Sequence, residues 1–416
     1  MAWHWGPSES SDRHPSEMRR NRLVALLVAI PIVAVGVYGI VHLAREPARK
    51  TLTPQGGSVL NPHPAAGPFQ VDGTTLADCT SESDPRACFE QAFGNVAYRE
   101  SAKRALAEVV TKGKTNAGIS SDCHRIAHTI GAAVLARDDG DVSRALAEGD
   151  STCWSGFYHG LLERALAPAR STGELGRLIR NLCDPTGKNW PVFTHYQCLH
   201  GIGHGLMLRT GYQRDVSLEL CTHLPDDWSR QSCDGGVFME GFSPSLGDKP
   251  PPFDEADPLA PCPQVAERHK LYCYLQVADN LVRGYAYDWR KVAAACTTAE
   301  SEHWANVCFQ SYGRQASGNN YGHPQAVVGL CAKAGAAGES DCIYGAVRDM
   351  VSNAAGTRPA RAFCAVVAAR SRARCFEGAG TIVATLETSD VAIRASCREL
   401  SEAHAADCVT GAGLRS

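Results

Sequence analysis

The sequence predicts a mainly α protein, an α-solenoid of about ten disulfide-stapled αα-hairpin repeats preceded by one transmembrane helix. Three observations lead there. Cysteine-led segments recur at the period of helix hairpins. Alanine-rich segments such as RALAEVV, AAVLA and KVAAAC favour helix, while sustained strand alternation is hard to find. One uncharged apolar run has the length that crosses a bilayer. With 416 residues, 44% of them hydrophobic, the chain can bury a core, and disorder throughout is excluded.

From the N-terminus, residues 1–22 form a tail carrying Arg13, Arg19, Arg20 and Arg22, and residues 23–43, LVALLVAIPIVAVGVYGIVHL, form the apolar run. It exceeds the ~7–15-residue core of a cleaved signal peptide and no A-x-A-like site follows, so an uncleaved anchor is expected. Pro31 is compatible with a membrane helix. Charge orients the segment weakly, because Arg45, Arg49 and Lys50 follow it. Cysteine orients it better: all 18 lie at or beyond Cys79, which fits a cytoplasmic N-terminus and an oxidised extracytoplasmic body. The expected location is the plasma membrane, single-pass, with the membrane as partner through this helix. Residues 44–78, rich in Pro, Gly and small residues, read as a flexible linker. A net charge of -3 with interspersed signs makes no electrostatic case for nucleic acid.

The repeat is visible on alignment of CWSG at 153, CLHG at 198, CDGG at 233, CYLQ at 273, CFQS at 308, CIYG at 342, CFEG at 375 and CVTG at 408. The starts are 45, 35, 40, 35, 34, 33 and 33 residues apart, with looser copies at Cys88 and Cys123. A second cysteine precedes most of them: 183 before 198, 221 before 233, 262 before 273, 296 before 308, 331 before 342, 364 before 375 and 397 before 408. Each such pair is expected to staple neighbouring segments of one helical unit, contributing about 3 kcal/mol by loop-closure entropy. Cys79 with Cys88 makes an N-terminal pair, and elimination leaves Cys123 with Cys153. No CxxC occurs, so a metal-type thiol pair is not offered. Residues 79–242 and 264–416 are the two stretches of repeats, separated by the Pro-rich loop 243–263. The organisation is similar to tetratricopeptide or Sel1-like arrays in architecture only, which implies no activity.

In register on the helix-opening cysteine, position plus three is small in many units: Gly156, Gly201, Gly236, Ser311, Gly345, Gly378 and Gly411. Glycine costs about 1 kcal/mol inside a helix, so its recurrence points to close backbone approach between packed helices. Position plus six is largely polar: Thr129, His159, His204, Met239, Asp279, Arg314, Arg348 and Thr381. Equivalent positions of a solenoid line one surface, so this row is either a solvated face or a ligand channel.

Histidines favour the channel in the first half. His124 with His128, His159 with Glu163, and His200 with His204 are pairs at i, i+4, each able to present both side chains on one helix face, and Glu240 follows one unit later. Imidazoles and carboxylates converging from different helices form metal sites. The candidate ligands are His124, His128, His159, Glu163, His200, His204 and Glu240, with zinc, iron, copper or manganese as the metal. Glu163 and Glu240 are the candidate catalytic general bases of a metal-dependent enzyme. HExxH and GxSxG are absent, so a zincin-type peptidase or nucleophile-elbow hydrolase is not indicated. A non-enzymatic scaffold binding a peptide, glycan or envelope partner on its concave face stays open beside the metal reading. In the second half His269, His303, His323 and His404 occur singly and read as structural or exposed, while Asp279, Arg283, Arg314, Arg348 and Asp349 read either as a salt-bridged face or as groups that recognise a polar or anionic partner.

Overall fold

Polar residues placed just before apolar-periodic stretches start many of the helices. Ser101, Asn116, Asp141, Ser171, Asp226, Asp288, Ser301 and Ser389 each accept a hydrogen bond from a backbone N–H two or three residues on. Each such cap contributes roughly 1 kcal/mol by satisfying a donor that the helix leaves unpaired. The structure is a computed structural model that describes residues 60, 62, 67–186, 190–245, 250 and 252–415. Among them no β-strand occurs.

The described helices are α1 (Arg86–Arg99), α2 (Ala102–Gly113), α3 (Ala117–Ser121), α4 (Cys123–Arg137), α5 (Val142–Leu146), α6 (Gly156–Ala165), α7 (Thr172–Leu182), α8 (Val192–Arg209), α9 (Arg214–Cys221) and α10 (Asp227–Phe242). They continue with α11 (Glu267–Gly284), α12 (Trp289–Cys296), α13 (Glu302–Asn319), α14 (Pro324–Lys333), α15 (Gly335–Ala354), α16 (Arg358–Val366), α17 (Ala369–Leu386), α18 (Asp390–Leu400) and α19 (Ala405–Gly411). The helices that carry or directly follow the repeat cysteine, α4, α6, α8, α10, α11, α13, α15, α17 and α19, pack successively on one another, with α1 against α4. The shorter helices between them cover this row, and α12, α14, α16 and α18 also pack in sequence.

All nine expected cystine pairs are present, and no described cysteine is free. Seven tie the end of a covering segment to the next long helix, for example Cys296 of α12 to Cys308 of α13. Cys123–Cys153 joins the start of α4 to the turn before α6. Nine disulfides are the mark of a protein matured in an oxidising compartment.

The glycine row does what its recurrence implied. A Cβ on Gly236 would lie 1.9 Å from the His200 carbonyl oxygen, and one on Gly203 would lie 2.1 Å from that of Cys233. Helices α8 and α10 therefore touch backbone to backbone. Gly345 and Gly411 meet the carbonyls of Gln310 and Glu377 in the same way. Where the row carries Ser311, its hydroxyl accepts the Ala278 N–H, 3.1 Å away.

The row of long helices also bends back on itself. Helix α8 packs against α17, and Ser151 Oγ donates to the Asn353 carbonyl at 2.8 Å, so the two stretches of repeats meet. Part of the linker expected over 44–78 belongs to this folded body. Asn95 on α1 donates to Asp72 Oδ1 and to the Thr74 carbonyl, both at 2.8 Å, and Phe69 lies over Gly94. The apolar run 23–43 lies outside the described residues; among these, no helix is long and apolar enough to cross a membrane. The loop 243–263 is not wholly peripheral, since Ser245, Leu259 and Cys262 are buried.

Candidate metal centre

Four adjacent helices build the site. Helix α4 supplies His124 and His128, α6 supplies His159 and Glu163, α8 supplies His200 and His204, and α10 supplies Glu240. One helical turn separates the members of each pair, so both point to the same side. Gly160, whose Cβ would lie 2.0 Å from the His128 carbonyl oxygen, and Gly236 let these helices approach closely enough for the pairs to merge. All seven predicted residues come together. His128, His159, Glu163, His200, His204 and Glu240 are at most 4% exposed, and His124 is half-buried at the edge.

The donors form three overlapping sets: His124 with His128 and His159, His159 with His200 and His204, and Glu163 with His204 and Glu240. Within each, the ligand atoms all lie within 4.8 Å of one another. His159 and His204 each belong to two sets, which makes the arrangement one continuous centre. His124 Nε2 and His128 Nε2 are 3.0 Å apart, and His128 Nδ1 is 2.9 Å from Glu163 Oε1.

A further layer orients these groups. His124 Nδ1 lies 2.7 Å from the Cys153 carbonyl, which can only accept, so the imidazole carries its proton there and turns the Nε2 lone pair inward. His204 Nδ1 donates to Glu240 Oε2 at 2.9 Å, leaving Nε2 as a lone pair. Glu240 Oε1 in turn accepts from Tyr212 Oη at 2.9 Å, from Ser245 N at 2.9 Å and from Ser245 Oγ at 3.1 Å. Ser245 Oγ also lies 3.3 Å from Glu163 Oε1. Neither Tyr212 nor Ser245 was found from sequence, because neither shares the repeat register; the Ser245 position depends on how the Pro-rich loop folds inward.

Burial, reinforced by the neighbouring imidazoles, lowers His124 and His204 to about 3 and holds His159 and His200 well below the usual range. The rings are therefore neutral near pH 7, the form that binds a metal. The two carboxylates diverge. Burial opposes charge on both, but His128 beside Glu163 keeps it ionised and below the usual range, whereas burial and the Glu163 charge raise Glu240.

Four buried atoms bear on what the centre is for. His159 Nδ1, His204 Nε2 and Glu163 Oε2 make no hydrogen bond, and His128 Nδ1 has only its close approach to Glu163. Buried polar groups are otherwise satisfied almost everywhere in folded proteins. A cation-sized acceptor of lone pairs fits this donor set.

The second-half residues separate into several environments. His269 is buried against Asp234, 2.6 Å away, His404 pairs with Asp407 at 2.8 Å, and His303 and His323 are exposed. Arg283 pairs with Asp279, and Arg314 Nε lies 3.8 Å from Asp349 Oδ1. Fold and site together define a mainly helical, disulfide-stapled protein with a buried His/Glu centre. Comparison with protein families, with characterised proteins and with solved structures finds no match.

Proposed function

We propose that this chain is a membrane-anchored, extracytoplasmic metalloprotein, an α-solenoid whose first half binds a divalent or transition metal and works as a metal-dependent enzyme. The observation that carries the reading is the unpartnered set His159 Nδ1, His204 Nε2 and Glu163 Oε2, buried among neutral imidazoles. An unsatisfied buried polar group costs about 1–3 kcal/mol, and metal ligation removes that cost for each atom that becomes a ligand. Five imidazoles with two carboxylates suit zinc, iron, copper or manganese. The metal supplies Lewis acidity when bound. Glu163 and Glu240 would take a proton beside it, a role supported for Glu240 by its hydrogen bonds from Tyr212 and Ser245.

The scaffold alternative needs an open, solvated inner row for its peptide, glycan or envelope partner. His159 and His204, on that row, are 2% and 1% exposed, which favours the metal reading. The apolar run 23–43 supports a single plasma-membrane span with the N-terminus cytoplasmic, and the nine disulfides support an oxidising location for the body.

The test is metal analysis of the purified full chain after incubation with zinc, iron, copper or manganese and removal of loose ions. Stoichiometric metal in the wild type, lost in the His159→Ala, His204→Ala double variant, is the expected result. A wild-type chain that retains none of the four metals sinks the proposal.

A further inference from the structure

Against the His/Glu cluster lies a second polar group, drawn largely from the other stretch of repeats. The Tyr196 ring stacks on His200 with centroids 5.4 Å apart, and its hydroxyl is 3.4 Å from His200 Nδ1. Tyr272 of α11 closes on the same place, since a Cβ on Gly235 would meet the Tyr272 ring at 2.7 Å and His200 Nδ1 at 3.0 Å. Beyond them stand Arg314 of α13 and Arg348 of α15. Both occupy the register position that His159 and His204 occupy in the first half. Helix α8, which carries Tyr196 and His200, also packs against α17 of the second stretch. Arg314 Nη1 reaches the side chain of Gln276, one helical turn beyond Tyr272 on α11.

The two arginines are underused by the protein. Arg314 donates to the neutral Gln276 amide oxygen and keeps Asp349 only at 3.8 Å. Arg348 Nη1 donates to the Gln310 amide oxygen at 3.4 Å, and its guanidinium lies 5.4 Å over the Tyr344 ring. Its buried Nε has no hydrogen-bond partner, and among the described residues no carboxylate ion-pairs with it. Arg374 over the same ring differs, because Asp341 and Glu377 pair with it. Arg314 is 29% exposed at its side chain, so solvent reaches this wall while the inner histidines are closed off.

We infer that Arg314 and Arg348, lined by Tyr196 and Tyr272, form an anion-recognition wall for the buried centre, and that the substrate is a small molecule bearing a carboxylate or phosphate. A guanidinium offers a planar fork of donors that matches either group, and it stays charged at any working pH. The anionic end occupies the arginine wall and the rest of the substrate extends past Tyr196 toward His200. That second step rests on the metal reading; anion binding by the wall does not.

The experiment is calorimetric titration of the purified full chain with inorganic phosphate and, separately, with acetate, in metal-loaded and metal-stripped forms. Saturable binding of at least one anion is expected. Arg348→Gln weakens it about tenfold or more, and the Arg314→Gln, Arg348→Gln double variant abolishes it, with the metal content unchanged. Arg374→Gln leaves it unaltered. Arg348→Lys, which keeps the charge and loses the fork, guards against a folding defect and is expected to lose most of the affinity. The tighter of the two anions names the substrate group. No saturation by either anion overturns the inference, as does affinity that survives both Arg348 variants. Arginine-dependent binding in a chain that takes up no metal would leave the wall standing and remove the metal reading alone.

Discussion

His159 and His204 lie face to face, ring centroids 4.1 Å apart and planes within 14°, although one belongs to α6 and the other to α8. His159 Nδ1 and His204 Nε2 are both buried without a partner, so the stack is a poor arrangement for the protein alone. His159→Leu is therefore expected to hold or raise metal-free stability, by up to about 1 kcal/mol, because an apolar side chain removes an unsatisfied group. With metal present the order reverses: the wild type gains about 2.7 kcal/mol at a hundredfold excess over Kd, and the variant loses that gain. Thermal unfolding with chelator and with metal reads both signs. A variant stabilised by metal as strongly as the wild type would show that His159 is no ligand.

The backbone contact between α8 and α10 sets the reach of these side chains. An alanine at Gly203 or Gly236 places its Cβ 2.1 or 1.9 Å from a carbonyl oxygen, and backbone on both sides leaves nothing soft to yield. Gly236→Ala is expected to cost more than about 2 kcal/mol and to weaken metal binding by pushing His200 away from its partners. Gly329→Ala is the control. It sits inside α14 with open space around its Cβ, so helix propensity gives a gain of roughly 0.4–1 kcal/mol. Urea unfolding of both variants measures the difference, and equal effects would contradict the close-packing account.

Much of this was legible because disulfides and helix pairs are local. Each cysteine pair from 221 onward spans only 11 or 12 residues, and His pairs at i, i+4 need no tertiary knowledge to share a face. The bend that packs α8 against α17 was not legible. Curvature accumulates from small rotations per repeat, which the register of residues does not encode. The sequence leaves Arg314 and Arg348 open between a salt-bridged face and recognition of an anionic partner, and among the described residues Arg348 ion-pairs with no carboxylate.

Asp349 carries a pH dependence of its own. Burial raises it to about 6 against the opposing charge of Arg314 on α13; Ser317 and Asn353 beside it also favour the charge, and Oδ2 still makes no hydrogen bond. A carboxyl raised in the folded state holds its proton there more tightly than in the unfolded chain. Stability from this group is therefore present at low pH and declines as pH rises from about 4 through 6, by up to about 3 kcal/mol. Asp349→Asn flattens that part of the profile and leaves the decline from other groups in place. Melting temperature against pH for the two proteins checks it, and parallel curves between pH 4 and 6 would refute the assignment.

The nine disulfides are not equivalent in what they support. Cys331–Cys342 closes a short loop far along the array, so replacing both cysteines by alanine is expected to cost about 2–4 kcal/mol and to leave metal affinity alone. Cys123–Cys153 holds the turn whose carbonyl orients His124, at 2.7 Å from Nδ1. That turn runs through three successive left-handed residues, Cys153, Trp154 and Ser155, with φ of 56°, 55° and 62°. Non-glycine residues in this region cost about 1 kcal/mol or more each and persist only where the surroundings hold them. Without the bridge the turn relaxes, the Cys153 carbonyl leaves His124, and the imidazole loses its fixed tautomer. The Cys123→Ala, Cys153→Ala variant is therefore expected to lose about 10–100-fold in metal affinity, the usual effect of removing a group that orients a ligand. Metal titration of the two double variants, each compared with its own unfolding curve, separates the roles. Equal metal affinity in both would mean that the turn contributes nothing to the centre.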